Sequence, residues 1–198
     1  MQMNRKKEQK INFQSKVIAL DIGNVCVSLR YDKCFRALNL PENTKVPDSF
    51  LETVYKLETG RITVKQWLEQ FRTVTDGKFS DRELISAYNQ ILGKEIDATS
   101  EFVKAAAAKG FRVIFFSNIS EVHALAVYEK LSFSHLITGA VFSYETGYMK
   151  PEKKIYERFM ELYGTPVLFI DDKEENRSAA EKLNWRTTET VPSPGNFF

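Results

Sequence analysis

The sequence predicts a doubly wound α/β domain with a parallel sheet and a small all-helical insert after the first strand, and three observations carry that expectation. Three short apolar runs, KVIAL at 16–20, FRVIFF at 111–116 and PVLFI at 166–170, are rich in branched and aromatic residues. Such nearly continuous runs belong to parallel strands buried on both faces. Helical patterns alternate with them, which is the signature of a parallel sheet covered by helices on both sides. Between the first and second runs the stretch 31–97 differs, because its apolar residues recur at three and four positions.

Each element has a local reason. The helix expected near 98–109 is the Ala-rich ATSEFVKAAAAK, closed by Gly110; the one near 151–163 opens on Pro151, whose fixed φ suits a first helical turn; a third spans about 174–183. Further strands are expected near 136–142 and 186–190. Within 31–97, Phe50, Val54 and Leu57 share one helical face, as do Trp67, Leu68 and Phe71, with turns at Gly60 and at Asp76-Gly77. The insert reads as entirely helical. The resulting division is a basic arm at 1–15, a core formed by 16–30 and 98–198, and a cap at 31–97.

Composition narrows the function classes. A chain of 198 residues suits one α/β domain with a modest insertion, and 43% hydrophobic with 27% charged residues excludes a disordered or fibrous chain. The net charge of +2 leaves no broad basic field, and residues 1–10 hold four Lys or Arg against one Glu, which reads as a solvated terminus. No nucleic-acid partner is therefore expected. Cys26 and Cys34 are the only cysteines and no CxxC or Cys/His cluster accompanies them, which argues against thiolate metal sites and disulfides. With neither a membrane-spanning run nor the apolar core of a signal peptide, the expected setting is the cytoplasm, with no membrane contact and a monomeric or homodimeric state.

The chemistry-bearing residues sit at strand ends. Each apolar run terminates in small or acidic polar residues: Asp21 after the first, Ser117-Asn118 after the second, Asp171-Asp172 after the third. Ligand sites of open α/β sheets form at the carboxyl ends of strands, so one crevice would receive all of them. Asp21 alone would read as a turn residue, and one of Asp171 and Asp172 as a helix N-cap. Three carboxylates in one crevice repel unless a cation lies between them, and an oxygen-only set suits Mg²⁺. Ser117 and Asn118, at the mouth of a helix, would hydrogen-bond an anion. Lys150 precedes Pro151, which holds it in an extended conformation.

The segments VIALDIGNV, VIFFSN, SYETGYMKP and LFIDDKEEN, with Asp21, Ser117, Lys150 and Asp171-Asp172 in that order, resemble the four motifs of the haloacid dehalogenase superfamily. The resemblance runs from about 16 to 190, with 31–97 in the place of that family's helical cap. Its first motif is similar to the D-x-G-N-V form of sugar-phosphate phosphatase-like members, with an ExG turn at Glu58-Thr59-Gly60. The resemblance implies a phosphatase in which Asp21 attacks a small phosphorylated metabolite and forms an aspartyl-phosphate. It implies Mg²⁺ held by Asp21, the Gly23 carbonyl and Asp172, with Asp171 binding through water, and phosphate oxygens held by Ser117, the Asn118 backbone and Lys150. Asn176 would orient Asp172 or Lys150.

The chain departs from the family in one respect. Most such phosphatases carry a second Asp two residues after the nucleophile as general acid, where this chain has Gly23. Either a cap residue such as Glu52, Glu58 or His123 supplies the proton, or the substrate has a leaving group that needs little protonation. Two other readings keep the fold: a metal-independent dehalogenase, which has no use for an acidic pair, and a non-catalytic binding module. Secondary positions read as structural: His135, Cys26 as a small packed hydrophobe, and Trp67, Phe71 and Tyr88 as cap core. Lys56 and Arg61 are open between substrate contact and solvated charge.

Overall fold

β-Branched and aromatic residues with no polar interruption make the three apolar runs strands, and the computed structural model shows why they are buried throughout. It describes residues 16–41 and 44–197; the arm assigned to 1–15 lies outside them. In chain order the elements are β1 Val17–Leu20, β2 Val27–Leu29, α1 Tyr31–Ala37, α2 Asp48–Glu58, α3 Val64–Val74, α4 Asp81–Asn89, β3 Leu92–Glu95, α5 Asp97–Ala108, β4 Arg112–Ser117, α6 Glu121–Lys130, β5 Ile137–Phe142, α7 Ser143–Thr146, α8 Lys153–Tyr163, β6 Leu168–Ile170, α9 Glu174–Glu181, β7 Thr187–Thr188 and α10 Pro194–Phe197.

Five strands form one parallel sheet in the order β5-β4-β1-β6-β7. The chain leaves β1 toward one edge through β4 and β5, then returns to the other side through β6 and β7. The order therefore reverses at β1, and the crevice outside its carboxyl end is where such sheets bind ligands. Residues alternate along β1: Ile18 and Leu20 enter a core with Phe102, Val113 and Phe115, while Val17 and Ala19 enter another with Phe116, Phe159 and Trp185. Helices thus cover both faces, as the nearly continuous apolar runs require.

Helices α1 to α4 bury their own core, centred on Trp67, Leu84, Phe71 and Tyr88. The ring of Trp67 lies 4.8 Å from Tyr88 and that of Phe71 4.9 Å from Phe50, so these aromatics pack the cap as expected. Capping boxes at Thr63–Gln66 and Ser80–Glu83 start α3 and α4. Gly60 has φ +62°, and a Cβ there would collide with the Tyr144 carbonyl. The turn that ends α2 therefore rests against α7 of the core, and only a residue without a side chain permits that approach.

Two local expectations are corrected. The insert is not entirely helical: Leu92–Glu95 forms β3, antiparallel to β2 with Val27 opposite Glu95 and Leu29 opposite Leu92. Four residues with no period of their own became a strand because β2, more than 60 positions earlier, supplies the partner, and the Lys94 N–H also donates to Ser28 Oγ (3.1 Å). The helix expected from Pro151 starts at Lys153. Pro151 instead lies in a turn, entered through a cis Lys150–Pro151 bond, in which the Glu152 N–H donates to the Met149 carbonyl (2.7 Å).

Candidate active site

Each strand end contributes as the order of the sheet dictates. The Asp21 N–H donates to the Ile170 carbonyl (2.9 Å) and the Asp171 N–H to the Thr188 carbonyl (3.1 Å), which fixes both acids to adjacent central strands. After Asp21 the chain turns tightly, with the amides of Cys26 and Val27 both donating to the Ile22 carbonyl (2.8 and 3.1 Å). Asn24 adopts φ +53° in this turn. Its Nδ2 donates to Asp172 Oδ2 (3.0 Å) and its Oδ1 accepts from the Leu29 N–H (3.1 Å), linking the loop after β1 to that after β6. Cys26 is fully buried, and its thiol donates to the Asp21 carbonyl (3.1 Å), a packing role.

Lys150 is the centre of the arrangement. Its ammonium donates to Asp21 Oδ1 (2.9 Å), to Asp171 Oδ2 (2.5 Å) and to the Phe116 carbonyl (2.7 Å), so all three of its protons are used. The residue is 4% exposed. Asn118 positions it by a double clasp: Nδ2 donates to the Lys150 carbonyl (2.8 Å) and Oδ1 accepts from the Lys150 N–H (2.7 Å). Asn176 Nδ2 reaches both oxygens of Asp171 (3.0 and 3.1 Å), and the Lys173 N–H donates to Asp171 Oδ1 (2.9 Å). Asn176 thus orients Asp171, rather than Asp172 or Lys150.

The electrostatics follow from this crowding. Burial raises the Asp21 pKa, Lys150 opposes it, Asp171 adds to it, and hydrogen bonds from Lys150 and Ser117 work against it; the net shift is upward. Burial alone would lower the Lys150 pKa, but Asp21 and Asp171 outweigh it and hold the ammonium charged. One cation therefore serves two buried anions, with Asp172 beside them. Asp21, Asp171 and Asp172 each offer an oxygen within 4.8 Å of the others. That all-oxygen set fits Mg²⁺. Asp171 has both oxygens engaged by protein donors, which suits contact through water, whereas Asp172 is partly exposed and gives one oxygen to Asn24.

A cleft of about 560 Å³ opens between cap and core, lined by Gly23, Ser117 and Asn118 on the core side. Its cap side is mainly apolar, with Leu38, Leu40, Val46 and Val54 among the contributors, and Glu58 and His123 also line it. Glu52 and Lys56 pair with each other on the outside of α2 (2.7 Å), and Arg61 lies over the Tyr55 ring at 5.2 Å. None of these three lines the cleft, and neither does His135.

His123 stacks on Tyr88 with ring centroids 3.9 Å apart, and its Nε2 lies 3.0 Å from the Tyr88 carbonyl. A carbonyl only accepts, so Nε2 carries a proton. Burial lowers its pKa from 6.5 to about 4. Between those values the unfolded chain binds a proton at this position that the folded chain does not, so stability falls as pH falls through the window. The expected loss is up to about 3 kcal/mol. Urea unfolding at pH 7 and pH 4.5 checks it: His123→Gln should lose less stability than the parent, and equal losses would remove His123 as the cause.

Sequence reasoning missed Asn24, Lys173 and Arg177 as parts of this site. Arg177 Nη1 donates to the carbonyls of Asp171 and Asp172 (2.8 and 2.9 Å), fixing the loop that carries both acids. The Asn24–Asp172 contact spans 148 positions, so only the φ-tolerant Gly23-Asn24 pair hinted at a special turn.

Fold and site together place this chain among α/β enzymes that carry an acidic pocket under an inserted cap. The backbone is similar to that of a HAD family enzyme from Bacteroides thetaiotaomicron (TM-score 0.77, 21% identity, covering 90% of this chain and 94% of that one). A complex of that enzyme with magnesium and inorganic phosphate aligns with TM-score 0.76 at 21% identity, over 90% and 95% of the two chains. An L-2-haloacid dehalogenase aligns with TM-score 0.61 at 16% identity, over 87% and 83%. No curated protein matches the sequence significantly. Residues 15–184 match the family of haloacid dehalogenase-like hydrolases, and the chain belongs to that family. It is a hydrolase, and none of its described helices is long and apolar enough to cross a membrane.

Proposed function

We propose that this hydrolase is a cytoplasmic, Mg²⁺-dependent phosphatase that cleaves a small phosphomonoester through an aspartyl-phosphate on Asp21. The observation that carries the reading is the cluster of Asp21, Asp171 and Asp172 around buried Lys150 at the ends of two adjacent central strands. A dehalogenase that attacks carbon without a metal has no use for that acidic pair. Mg²⁺ held by Asp21, the Gly23 carbonyl and Asp172, with Asp171 reaching it through water, would offset charge between the nucleophile and the phosphate.

Asp21 attacks phosphorus in line while the bond to the leaving oxygen breaks. Lys150, clasped by Asn118, and the Ser117 hydroxyl stabilise the charge that spreads over the phosphoryl oxygens. Water then attacks the acyl-phosphate, releases orthophosphate and returns Asp21 to its starting state. The mainly apolar cap side of the cleft receives the organic part of the ester, and sugar phosphates are one class to screen. The expected result is orthophosphate release from p-nitrophenyl phosphate with Mg²⁺ and at least about a hundredfold less with EDTA. Turnover indifferent to EDTA, or halide release from a 2-haloacid in place of phosphate release, would sink the reading.

A further inference from the structure

We infer that Glu58, the last residue of α2, exchanges the proton that the leaving-group oxygen requires, in place of a side chain that position 23 lacks. This rests on the phosphatase reading above.

The core cannot supply the proton from the usual direction. Gly23 carries no side chain, and a Cβ added there would lie 2.9 Å from the Leu29 Cδ1 methyl. Asp21 is the nucleophile, Asp172 is assigned above to the metal, and Asp171 is committed to Lys150, Asn176 and the Lys173 amide. For a leaving group that needs protonation, this leaves the cap side of the cleft to supply the proton. Among the described residues lining the cleft, the carboxylates are Glu58 and Asp76. Asp76 is exposed, in the turn after α3, and pairs with Lys78 (3.0 Å). Glu52 is exposed and paired with Lys56. His123 lines the cleft, but its Nε2 proton is given to the Tyr88 carbonyl. Glu58 remains.

Its placement is fixed by the core. Glu58 lines the same cleft as Gly23, Ser117 and Asn118. The turn that follows is anchored: Thr59 is buried with its hydroxyl donating to the Tyr55 carbonyl (2.8 Å), and Gly60 lies against the Tyr144 carbonyl. The end of α2 that carries Glu58 is therefore held against α7 of the core. The charged and titratable groups around it are Lys173 at the start of α9, Tyr31 of α1 and Tyr88 of α4. Burial raises the Glu58 pKa from 4.5 to about 7 against the opposing effect of Lys173. The negative end of α2 favours the same neutral form. An acid with this pKa both gives and takes a proton near neutrality.

The two half-reactions balance. As Asp21 attacks, the P–O electron pair passes to the leaving oxygen, which takes the Glu58 proton and departs as an alcohol. The Glu58 carboxylate then takes a proton from the water that attacks the aspartyl-phosphate, and the carboxylic acid is restored as orthophosphate leaves.

The test is Glu58→Gln on two esters of different leaving-group basicity. On a simple alkyl phosphate kcat/KM, which reports the steps up to the aspartyl-phosphate, should fall at least about a hundredfold, whereas on p-nitrophenyl phosphate, whose leaving group needs no proton, the loss in kcat/KM should stay under about tenfold; kcat should fall on both, because attack of water on the aspartyl-phosphate is shared. Glu58→Asp should recover part of the alkyl activity, and Glu52→Gln should match the parent on both esters. An equal loss in kcat/KM on the two esters, with melting temperature unchanged, overturns the assignment while leaving Asp21-dependent phosphate release intact. If the parent itself shows no phosphate release that depends on Asp21, the phosphatase reading has failed and this assignment falls with it.

Discussion

Asp21→Asn is expected to abolish phosphate release, lowering kcat by about 10⁴-fold or more, as loss of a covalent nucleophile does. The amide is nearly isosteric, so it can keep a contact with Lys150 and fill the same space. What it loses is the attacking charge. The variant should fold at least as stably as the parent, because burial and the neighbouring Asp171 both act against ionisation of Asp21. Trapping should separate chemistry from binding: acid quench during turnover should yield a phosphorylated peptide containing Asp21 from the parent and none from the variant. Residual activity within about tenfold of the parent would mean that another group attacks phosphorus.

Lys150→Met is expected to cost about 3–5 kcal/mol of stability, together with most of the activity, because it leaves two buried carboxylates without their shared cation. The side chain is 1% exposed, its three hydrogen bonds go to Asp21, Asp171 and the Phe116 carbonyl, and the rings of Phe116 and Phe169 lie 5.1 and 5.3 Å from the ammonium. Methionine replaces the volume but none of the charge. Adding Asp171→Asn to Lys150→Met should recover a substantial part of the loss, since one of the orphaned charges disappears. Urea unfolding of the single and double variants measures both effects. A single-variant cost below about 1 kcal/mol would show that the buried triad is not what holds these strand ends together.

Much of this protein was legible in its sequence because the signals are local. KVIAL, FRVIFF and PVLFI are strands by composition alone, since nothing else buries so many branched and aromatic side chains in five or six residues. The carboxyl-end rule then brought Asp21, Ser117 and Asp171-Asp172 to one crevice, and the three carboxylates do gather beside Lys150. Helical periodicity gave the cap its core of Trp67, Phe71 and Tyr88. These are properties of side chains spaced two or four apart, which the chain carries whatever its neighbours do.

What depended on the tertiary structure was every partner far along the chain. LGKE at 92–95 has no strand period, and its conformation comes from pairing with β2. Asn118 offered its backbone N–H as an anion contact in the sequence, and nothing there showed that its side chain would clasp the Lys150 backbone 32 positions away. Asn176 was expected to serve Asp172 or Lys150, and helix α9 aims it at Asp171. Glu52, Glu58 and His123 were equal as proton donors in the sequence, and only docking of the cap separates them: Glu52 faces solvent, His123 is tied to Tyr88, and Glu58 faces the cleft. The sequence determined which residue types stand at each strand end, because burial pattern and strand termini are encoded locally. The tertiary structure decided which of them meet, because hydrogen-bond partners and desolvation are set by groups that the chain brings together only when it folds.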